Sequence, residues 1–310
     1  MPKIVTTLQL PPAALALFEG FAEVVGPDGW EGQVGDADAL IALLTTRVDE
    51  ELLQRAPSLR IVANAVVGVD NVDLSACRER GVTVTNTPDV LTDTTADLAL
   101  ALILVTVRRL SSAEDSLRAG EFHGWRFWDY LGGDLAGATL GIFGMGRIGQ
   151  AVARRARAFG MRIIYTNRSP VQAAIEQELA ATPVSLDELL ETSDVLSLHA
   201  PLTPDTRHIL NADALRRMKS GSILINTARG PLVDESALAE ALRAGHLAGA
   251  GLDVYEKEPI VNPGLLDLPN VVLLPHVGSA TVQTRTRMAM LAARNVRAVL
   301  SGEPALTPLR

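Results

Sequence analysis

The chain has 310 residues, enough for two domains of ordinary size that each bury a core. Its formal net charge of −8 argues against a nucleic acid or an anionic membrane surface as the main partner. Cys77 is the only cysteine, which excludes an internal disulfide or a multi-cysteine metal site and favours a reducing compartment. We therefore expect a cytoplasmic protein without a metal site.

Short apolar runs alternate with helical patterns over the first 86 residues, as is typical of a parallel sheet. Strands are predicted near residues 3–7, 39–44, 59–66 and 82–86, and helices near 11–22, 48–56 and 71–80. A long helix is then predicted from about Thr94 to Arg118. Thr92 or Asp93 can cap its start, and Gly120 lies just beyond its end.

A second α/β set runs from Thr139 to about Gly278. Its strands are predicted near residues 139–143, 162–165, 195–199, 222–227, 249–254 and 271–275. Three helix starts are predicted in this set, at the capping box of Ser185, at Asn211 and near Asp234. A final helix is predicted over about 281–300, and its own pattern does not say which domain it packs against.

A glycine-rich motif, Gly144-Met145-Gly146-Arg147-Ile148-Gly149, lies between a predicted strand and a helical pattern. In such a turn the first glycine bends the chain sharply, and the second lets a pyrophosphate approach the backbone. The third lets the helix pack on the strand. The helix N-terminus then holds the anion. The motif in this context predicts a dinucleotide site.

The next strand ends just before Asn167-Arg168-Ser169, where the pattern usually has a carboxylate that binds the ribose 2′-hydroxyl. A neutral Asn167 does not repel a 2′-phosphate, and Arg168 and Ser169 can hydrogen-bond to it. Charged hydrogen bonds contribute about 1.5–3 kcal/mol, roughly a tenfold to hundredfold preference. This loop predicts that NADP(H) is preferred over NAD(H). Alternatively, Arg168 points to solvent and the protein does not discriminate.

Four polar side chains follow predicted strands of the second set: His199, Arg229, Asp253 and His276. Because ligands bind beyond the carboxyl ends of parallel strands, we expect these groups to converge at the cofactor. Each also has a structural alternative, since a histidine there can be a packed core residue and an aspartate can cap a turn. No HExxH or GxSxG motif is present, which disfavours zinc and serine hydrolases.

A series of motifs, in order along nearly the whole chain, resembles the D-isomer-specific 2-hydroxyacid dehydrogenases, most of all the glyoxylate/hydroxypyruvate reductase branch. The resemblance implies an α/β protein of two domains. A Rossmann-type, doubly wound parallel sheet would form the nucleotide-binding domain over 99–282, and 1–98 with 283–310 would form a flavodoxin-like α/β substrate domain. The motifs are Val67–Asp73, Asn86–Pro88, Thr95–Asp97, Leu140–Gly149, His199–Thr203, Asn226–Gly230, Gly251–Val254, Glu258-Pro259 and Pro275–Gly278.

The resemblance also implies a catalytic trio of Arg229, Glu258 and His276. Composition alone does not choose Glu258 over Glu256; the Glu-Pro context does. The loop around Val67 and Gly68 resembles the one whose backbone N–H groups hold the substrate carboxylate. Some positions match cofactor-contacting residues of the family, and others are expected to reach the cofactor. Together they are Thr95, Gly144, Gly146, Arg147, Ile148, Gly149, Asn167, Arg168, Ser169, His199, Pro201, Thr206, Thr227, Ala228, Asp253 and Gly278.

The expected reaction is NADPH-dependent reduction of a small 2-keto acid to the D-2-hydroxy acid. Arg229 would orient the carboxylate and carbonyl, and His276, paired to Glu258, would act as general acid. D-3-phosphoglycerate dehydrogenase is one alternative, although it often carries an appended regulatory domain. Phosphite dehydrogenase is another, although it has a lysine where this chain has Val67.

A non-enzymatic, NAD(P)-sensing scaffold like the corepressors of this fold is the alternative of another class. The family further implies a homodimer formed through the nucleotide-binding domain. The aromatic residues Trp125, Phe127 and Trp128 either supply that interface or fill the local core.

Overall fold

The computed structural model describes residues 1–309, which form two compact units. One unit comprises Met1–Leu91 and the residues from Ser279 onward, and the other comprises Thr92–Gly278. The family resemblance implies a second domain over 99–282, whereas the second unit spans Thr92–Gly278. It begins at Thr92 because a helix starting there, α4 (Thr92–Val107), packs on that unit's sheet and on its helix α6 (Arg147–Ala158).

The first unit is a five-stranded parallel sheet with helices on both faces. Its strand order, β2-β1-β3-β4-β5, is that of flavodoxin-like folds. The last helix packs against β3 and β4, so it belongs to this unit. The elements are β1 (Lys3–Thr6), α1 (Pro12–Leu15), β2 (Glu23–Val25), β3 (Ala39–Ala42), α2 (Glu50–Arg55), β4 (Ile61–Asn64), α3 (Leu74–Glu79), β5 (Thr83–Thr85) and α12 (Val282–Leu300), with single 3₁₀ turns at Trp30–Gly32 and Val34–Asp36.

The second unit is a seven-stranded parallel sheet. Besides α4 and α6, its elements are α5 (Leu110–Arg118), β6 (Thr139–Phe143), β7 (Arg162–Thr166), α7 (Ala173–Leu179), β8 (Ala181–Pro183), α8 (Leu186–Thr192), β9 (Val195–Leu198), α9 (Ala212–Arg217), β10 (Ile223–Asn226), α10 (Glu235–Arg243), β11 (Gly249–Leu252), α11 (Pro263–Leu266) and β12 (Val271–Leu273), with a 3₁₀ turn at Gly230–Leu232.

The strands of the second unit lie in the order β12-β11-β10-β9-β6-β7-β8. With β6 counted as the first strand, this is the doubly wound Rossmann order with one further strand. The order reverses between β6 and β9, which pair in the register Leu140 with Val195. β9, β10 and β11 are buried along their whole length, as expected of strands covered by helices on both faces. The predicted α/β fold class is confirmed.

The predicted single helix from Thr94 to Arg118 is wrong, because the chain breaks it at Arg109. Arg109 has a left-handed φ of 52° and separates α4 from α5. The carbonyl of Val107 accepts a hydrogen bond from the N–H of Gly133 at 2.9 Å instead of continuing the helix. No glycine or proline lies at this position to indicate a break. The break depends instead on Gly133, which lies in a distant loop.

Two further differences concern short elements. The predicted helix over 11–22 is a single turn, α1, followed by turns, and the three-residue edge strands β2 and β8 were not predicted. Elements this short do not establish a periodicity. The three predicted caps of the second set are confirmed: the side chains of Ser185, Asn211 and Asp234 each accept an N–H from the first turn that follows. The predicted cap of the long helix is wrong, because Thr92 and Asp93 both lie within α4.

Residues 1–309 contain neither a membrane-spanning helix nor a cluster of metal-ligating side chains. None of their helices has the length and apolar character needed to cross a bilayer. No group of three or more His, Cys, Asp or Glu side chains among them is arranged to hold a metal ion.

Candidate active site

The predicted site residues of the second unit lie at one edge of its sheet. Because all seven strands are parallel, the loops after β6, β7, β9, β10 and β11 leave from the same edge. Ligands of doubly wound sheets bind at this edge, where the strand order reverses. Here the reversal lies between β6 and β9.

The glycine-rich turn after β6 is shaped by close backbone contacts. Gly144 has a φ of 99°, and a Cβ there would lie 2.6 Å from the backbone nitrogen of Ala200 in the loop after β9. A Cβ on Gly149 would lie 2.3 Å from the carbonyl oxygen of Gly144. A Cβ on Gly146, the N-cap of α6, would meet no atom within 4 Å. Gly144 and Gly149 are thus required by packing, and Gly146 leaves the backbone accessible to a ligand.

The loop after β9 carries a neutral histidine. The Nε2 of His199 lies 2.8 Å from Ser197 Oγ, and its backbone N–H donates to the carbonyl of Phe143 at 2.8 Å. Burial lowers the pKa of His199 to about 4, so the ring is uncharged at neutral pH. Further along, the hydroxyl of Thr206 donates to the carbonyl of Pro201 at 2.8 Å and holds this loop closed.

The loop after β10 is held by Asn226, a residue to which sequence reasoning gave no role. Its side chain donates to the carbonyl of Arg229 at 2.9 Å and accepts the N–H of Ala228 at 3.0 Å. The Arg229 guanidinium in turn donates to the carbonyl of Ala228 at 2.7 Å. Between them, the hydroxyl of Thr227 is buried and has no hydrogen-bond partner in residues 1–309. A buried hydroxyl left unpaired is unfavourable, and a polar ligand at this edge would satisfy it.

The trio of Arg229, Glu258 and His276 lies together in this unit. Glu258 Oε2 is 2.8 Å from His276 Nδ1, and its Oε1 accepts the N–H of Tyr255 at 3.1 Å. Burial disfavours the ionised carboxylate, but the bond to His276, the charges of His276 and Arg229 and the Tyr255 N–H together hold the pKa of Glu258 below its usual value. Glu258 is therefore an anion that orients the ring through Nδ1 and leaves Nε2 of His276 outside this bond.

The loop that carries His276 is fixed by a buried carboxylate. Asp253 accepts the N–H groups of Val277 and Gly278 at 2.7 and 2.8 Å, while the hydroxyl of Thr95 donates to the carbonyl of Gly278 at 3.2 Å. Burial raises the pKa of Asp253 although both N–H donors lower it. His276 itself adopts a left-handed φ of 54°. The structure thus gives Asp253, Thr95 and Gly278 a positioning role at the site.

Glu256, the other candidate carboxylate, faces a different histidine. Its Oε1 lies 2.7 Å from Nε2 of His208. The N–H of Glu256 also donates to Glu235 Oε1 at 2.7 Å, and the N–H of Glu235 donates back to Glu256 Oε2 at 3.3 Å. This reciprocal clasp joins the start of α10 to the segment before Glu258. Sequence reasoning missed it, because Glu235 and Glu256 are 21 residues apart.

The loop after β7, which is predicted to reach the cofactor, is exposed. The side chain of Asn167 accepts the N–H of Met145 at 3.2 Å, and Arg168 and Ser169 lie at the surface. The structure places Arg147 and Ile148 in the first turn of α6, beside the glycine-rich turn.

The loop of Val67 and Gly68 lies in the first unit. Asn86 and Asn64 donate to the carbonyls of Val67 and Gly68 at 2.7 and 2.8 Å. The N–H groups of Val67 and Gly68 donate to no backbone acceptor in the part of the chain that the structure describes. Carboxylate binding by these two N–H groups stays a prediction.

Comparison with known proteins gives consistent matches. The family model "D-isomer specific 2-hydroxyacid dehydrogenase, NAD binding domain" matches residues 100–278. A glyoxylate reductase of Thermococcus litoralis is 47% identical, with 97% of this chain and 95% of the relative covered. Among solved structures, a protein from Thermus thermophilus has a TM-score of 0.93 at 47% identity, covering 99% of this chain and 100% of that one.

A second solved structure is similar over nearly the same length. The NADPH-dependent glyoxylate/hydroxypyruvate reductase of Sinorhizobium meliloti, in complex with NADP and malonate, has a TM-score of 0.88 at 40% identity. The match covers 99% of this chain and 96% of that one.

Proposed function

The chain belongs to the D-isomer specific 2-hydroxyacid dehydrogenase family and is an NAD(P)-dependent oxidoreductase, and we propose that it reduces 2-keto acids of the glyoxylate/hydroxypyruvate class to D-2-hydroxy acids. The observation that carries this proposal is the 2.8 Å pair of His276 and Glu258 beside Arg229. The names of similar proteins, which include glyoxylate reductases, support the substrate class.

Each member of the trio has one task in the proposed mechanism. The glycine-rich turn at Gly146 and the hydroxyl of Thr227 would hold a nicotinamide dinucleotide, which would supply the hydride for the carbonyl carbon. Arg229, a planar fork of donors, binds the substrate carboxylate and polarises the carbonyl. His276 gives the proton on Nε2 to the carbonyl oxygen, which becomes the hydroxyl. Glu258 accepts the Nδ1 proton in a hydrogen bond, so it stabilises the imidazolium before transfer and keeps the ring aligned.

We further propose that NADPH is preferred over NADH. Arg168 is exposed, so its guanidinium is accessible to a 2′-phosphate. The buried hydroxyl of Thr227 and the open backbone at Gly146 fit a dinucleotide at the same edge. The Sinorhizobium meliloti structure with NADP, at 40% identity, supports this proposal.

A homodimer is proposed through the aromatic loop of the second unit. Trp125, Phe127 and Trp128 are 78, 65 and 76% exposed, so the alternative that they fill the local core is wrong. Their rings contact one another edge to face. Three large aromatic side chains in one exposed segment are typical of an interface. Cytoplasmic location stays a prediction.

The first prediction concerns the general acid. The protein should oxidise NADPH with glyoxylate or hydroxypyruvate, and His276→Ala should lower kcat by about 10²–10⁴ because proton donation is lost. His208→Ala is the control, since it removes a histidine in a similar bond to glutamate. The measurement is kcat of both folded variants in steady-state assays. Near-normal turnover by His276→Ala would reject the role of His276, and no turnover by the wild type with any keto acid would favour a scaffold.

The second prediction concerns cofactor preference. kcat/KM with NADPH should exceed that with NADH by roughly tenfold to hundredfold, since a charged hydrogen bond contributes about 1.5–3 kcal/mol. Arg168→Ala should remove most of this ratio by weakening NADPH alone. Arg154→Ala, which removes a charge from α6, should leave the ratio unchanged. Equal values for the two cofactors in the wild type would contradict the preference.

The third prediction concerns Thr227. Thr227→Val removes a hydroxyl that has no partner in residues 1–309, so the midpoint of thermal unfolding without cofactor should stay the same or rise. NADPH binding, measured by calorimetry, should weaken by about threefold to tenfold. Thr95→Val, which removes a bonded hydroxyl, should instead lower the midpoint. An equal loss of stability in both variants would show that Thr227 is satisfied without a ligand.

The fourth prediction concerns assembly. Sedimentation velocity should give twice the mass of the 33.0 kDa chain. Joint replacement of Trp125 and Trp128 by Ser should give the monomer, because the apolar contact area is lost. Leu266→Ser removes an exposed apolar side chain of the same unit, 57% accessible, and should leave the dimer intact. A monomeric wild type would refute the proposed dimer.

A further inference from the structure

Asn167 joins two loops that lie at the predicted cofactor edge. It follows β7 directly, and its amide makes two hydrogen bonds. Oδ1 accepts the N–H of Met145, inside the glycine-rich turn, at 3.2 Å. Nδ2 donates to the carbonyl oxygen of Ser169 at 3.0 Å. One side chain thus ties the turn before α6 to the segment that contains Arg168.

The chemistry of the two partners fixes the orientation of the amide. A backbone N–H only donates and a backbone carbonyl only accepts, so the side chain must offer an acceptor to Met145 and a donor to Ser169. Asparagine offers both. An aspartate could keep the bond to Met145, but its second oxygen would face the Ser169 carbonyl without a proton between them. Aspartate at this position would therefore release the segment as well as add a charge.

The bond to Ser169 is what restrains this segment. Arg168, Ser169 and Pro170 are all exposed, so packing does not hold them in place. The bond from Asn167 is the one hydrogen bond that residues 168–170 make within the described part of the chain. Without it, Arg168 would sample many positions, and ordering it on a ligand would cost conformational entropy.

We propose that Asn167 is a specificity-determining positioning residue, whose amide holds Arg168 and Ser169 in place to receive the cofactor's 2′-phosphate. The inference rests on the proposed NADPH preference and goes beyond it. The NADPH preference requires only Arg168 and the absence of a carboxylate at residue 167. The inference adds that the two hydrogen bonds of the Asn167 amide are needed for tight binding of the 2′-phosphate. A neutral side chain of similar size is not sufficient at this position.

Binding of adenosine 2′,5′-bisphosphate and of AMP to the whole protein, measured by calorimetry, tests the inference without turnover. The wild type should bind the bisphosphate at least about tenfold more tightly than AMP, as one charged hydrogen bond allows. Asn167→Leu is close in size and uncharged but makes neither bond. It should lower this ratio by about fivefold or more, with AMP binding changed less than the bisphosphate.

Asn167→Asp is the matched variant, because it keeps the acceptor for Met145. Its bisphosphate binding should weaken and its AMP binding should not tighten, since the segment is released. Tighter AMP binding would mean that the carboxylate binds the ribose from an undisturbed loop, which overturns the inference. The inference is also overturned if Asn167→Leu keeps the wild-type ratio of bisphosphate to AMP affinity, even where both affinities fall equally. The NADPH preference stands in that case. If the wild type binds the bisphosphate and AMP equally well, both the inference and the NADPH preference are wrong. Keto-acid turnover with NADH then tests the proposed reaction separately.

Discussion

The buried carboxylate of Asp253 is the constraint on which the candidate site depends. A carboxylate taken out of water is costly unless hydrogen bonds or charges compensate it. Here the compensation comes from the N–H groups of Val277 and Gly278, so the chain after β12 cannot move away without leaving the carboxylate unpaired. Thr95 holds the carbonyl of Gly278, which ties the first turn of α4 to the same point. The left-handed backbone of His276 is sustained by these bonds on its C-terminal side.

Three nearby glutamates show how environment separates residues of identical chemistry. Glu258 is held ionised beside His276, whereas burial raises the pKa of Glu235 above its usual value. Glu256 faces His208 and shares the reciprocal clasp with Glu235. A Cβ on Gly230, next to Arg229, would lie 1.9 Å from the carbonyl carbon of Tyr255, so the loops after β10 and β11 touch at backbone level. The clasp and this contact hold the segments that carry Arg229 and Glu258 against each other.

Features that depend on neighbours in the sequence could be predicted, and features that depend on distant partners could not. The glycine-rich turn and the cap at Ser185 are local, and the pattern of strands indicated the α/β class. The break at Arg109 depends on Gly133, and the hydrogen bonds of Asn226 and the clasp of Glu235 depend on where loops meet in space. The choice of Glu258 over Glu256 came from a family resemblance, because sequence spacing alone treats the two alike. At Asn167 the missing carboxylate was visible in the sequence, whereas the bonds to Met145 and Ser169 were not.

The position of α12 has a consequence for how the chain is made. Ala292, Ala293 and Val296 of this helix complete the apolar cluster that contains Ile4 and Ile61 of the first sheet. During synthesis those strands leave the ribosome long before the helix that covers them, whereas the second unit is continuous from Thr92 to Gly278. The second unit can therefore complete its core before the first unit receives α12, which differs from the usual order in which the N-terminal domain folds first. Until α12 is made, that face of the first sheet is covered only in part, by Leu10, Ala14 and Phe18. The apolar surface left for α12 is the surface a chaperone would have to shield.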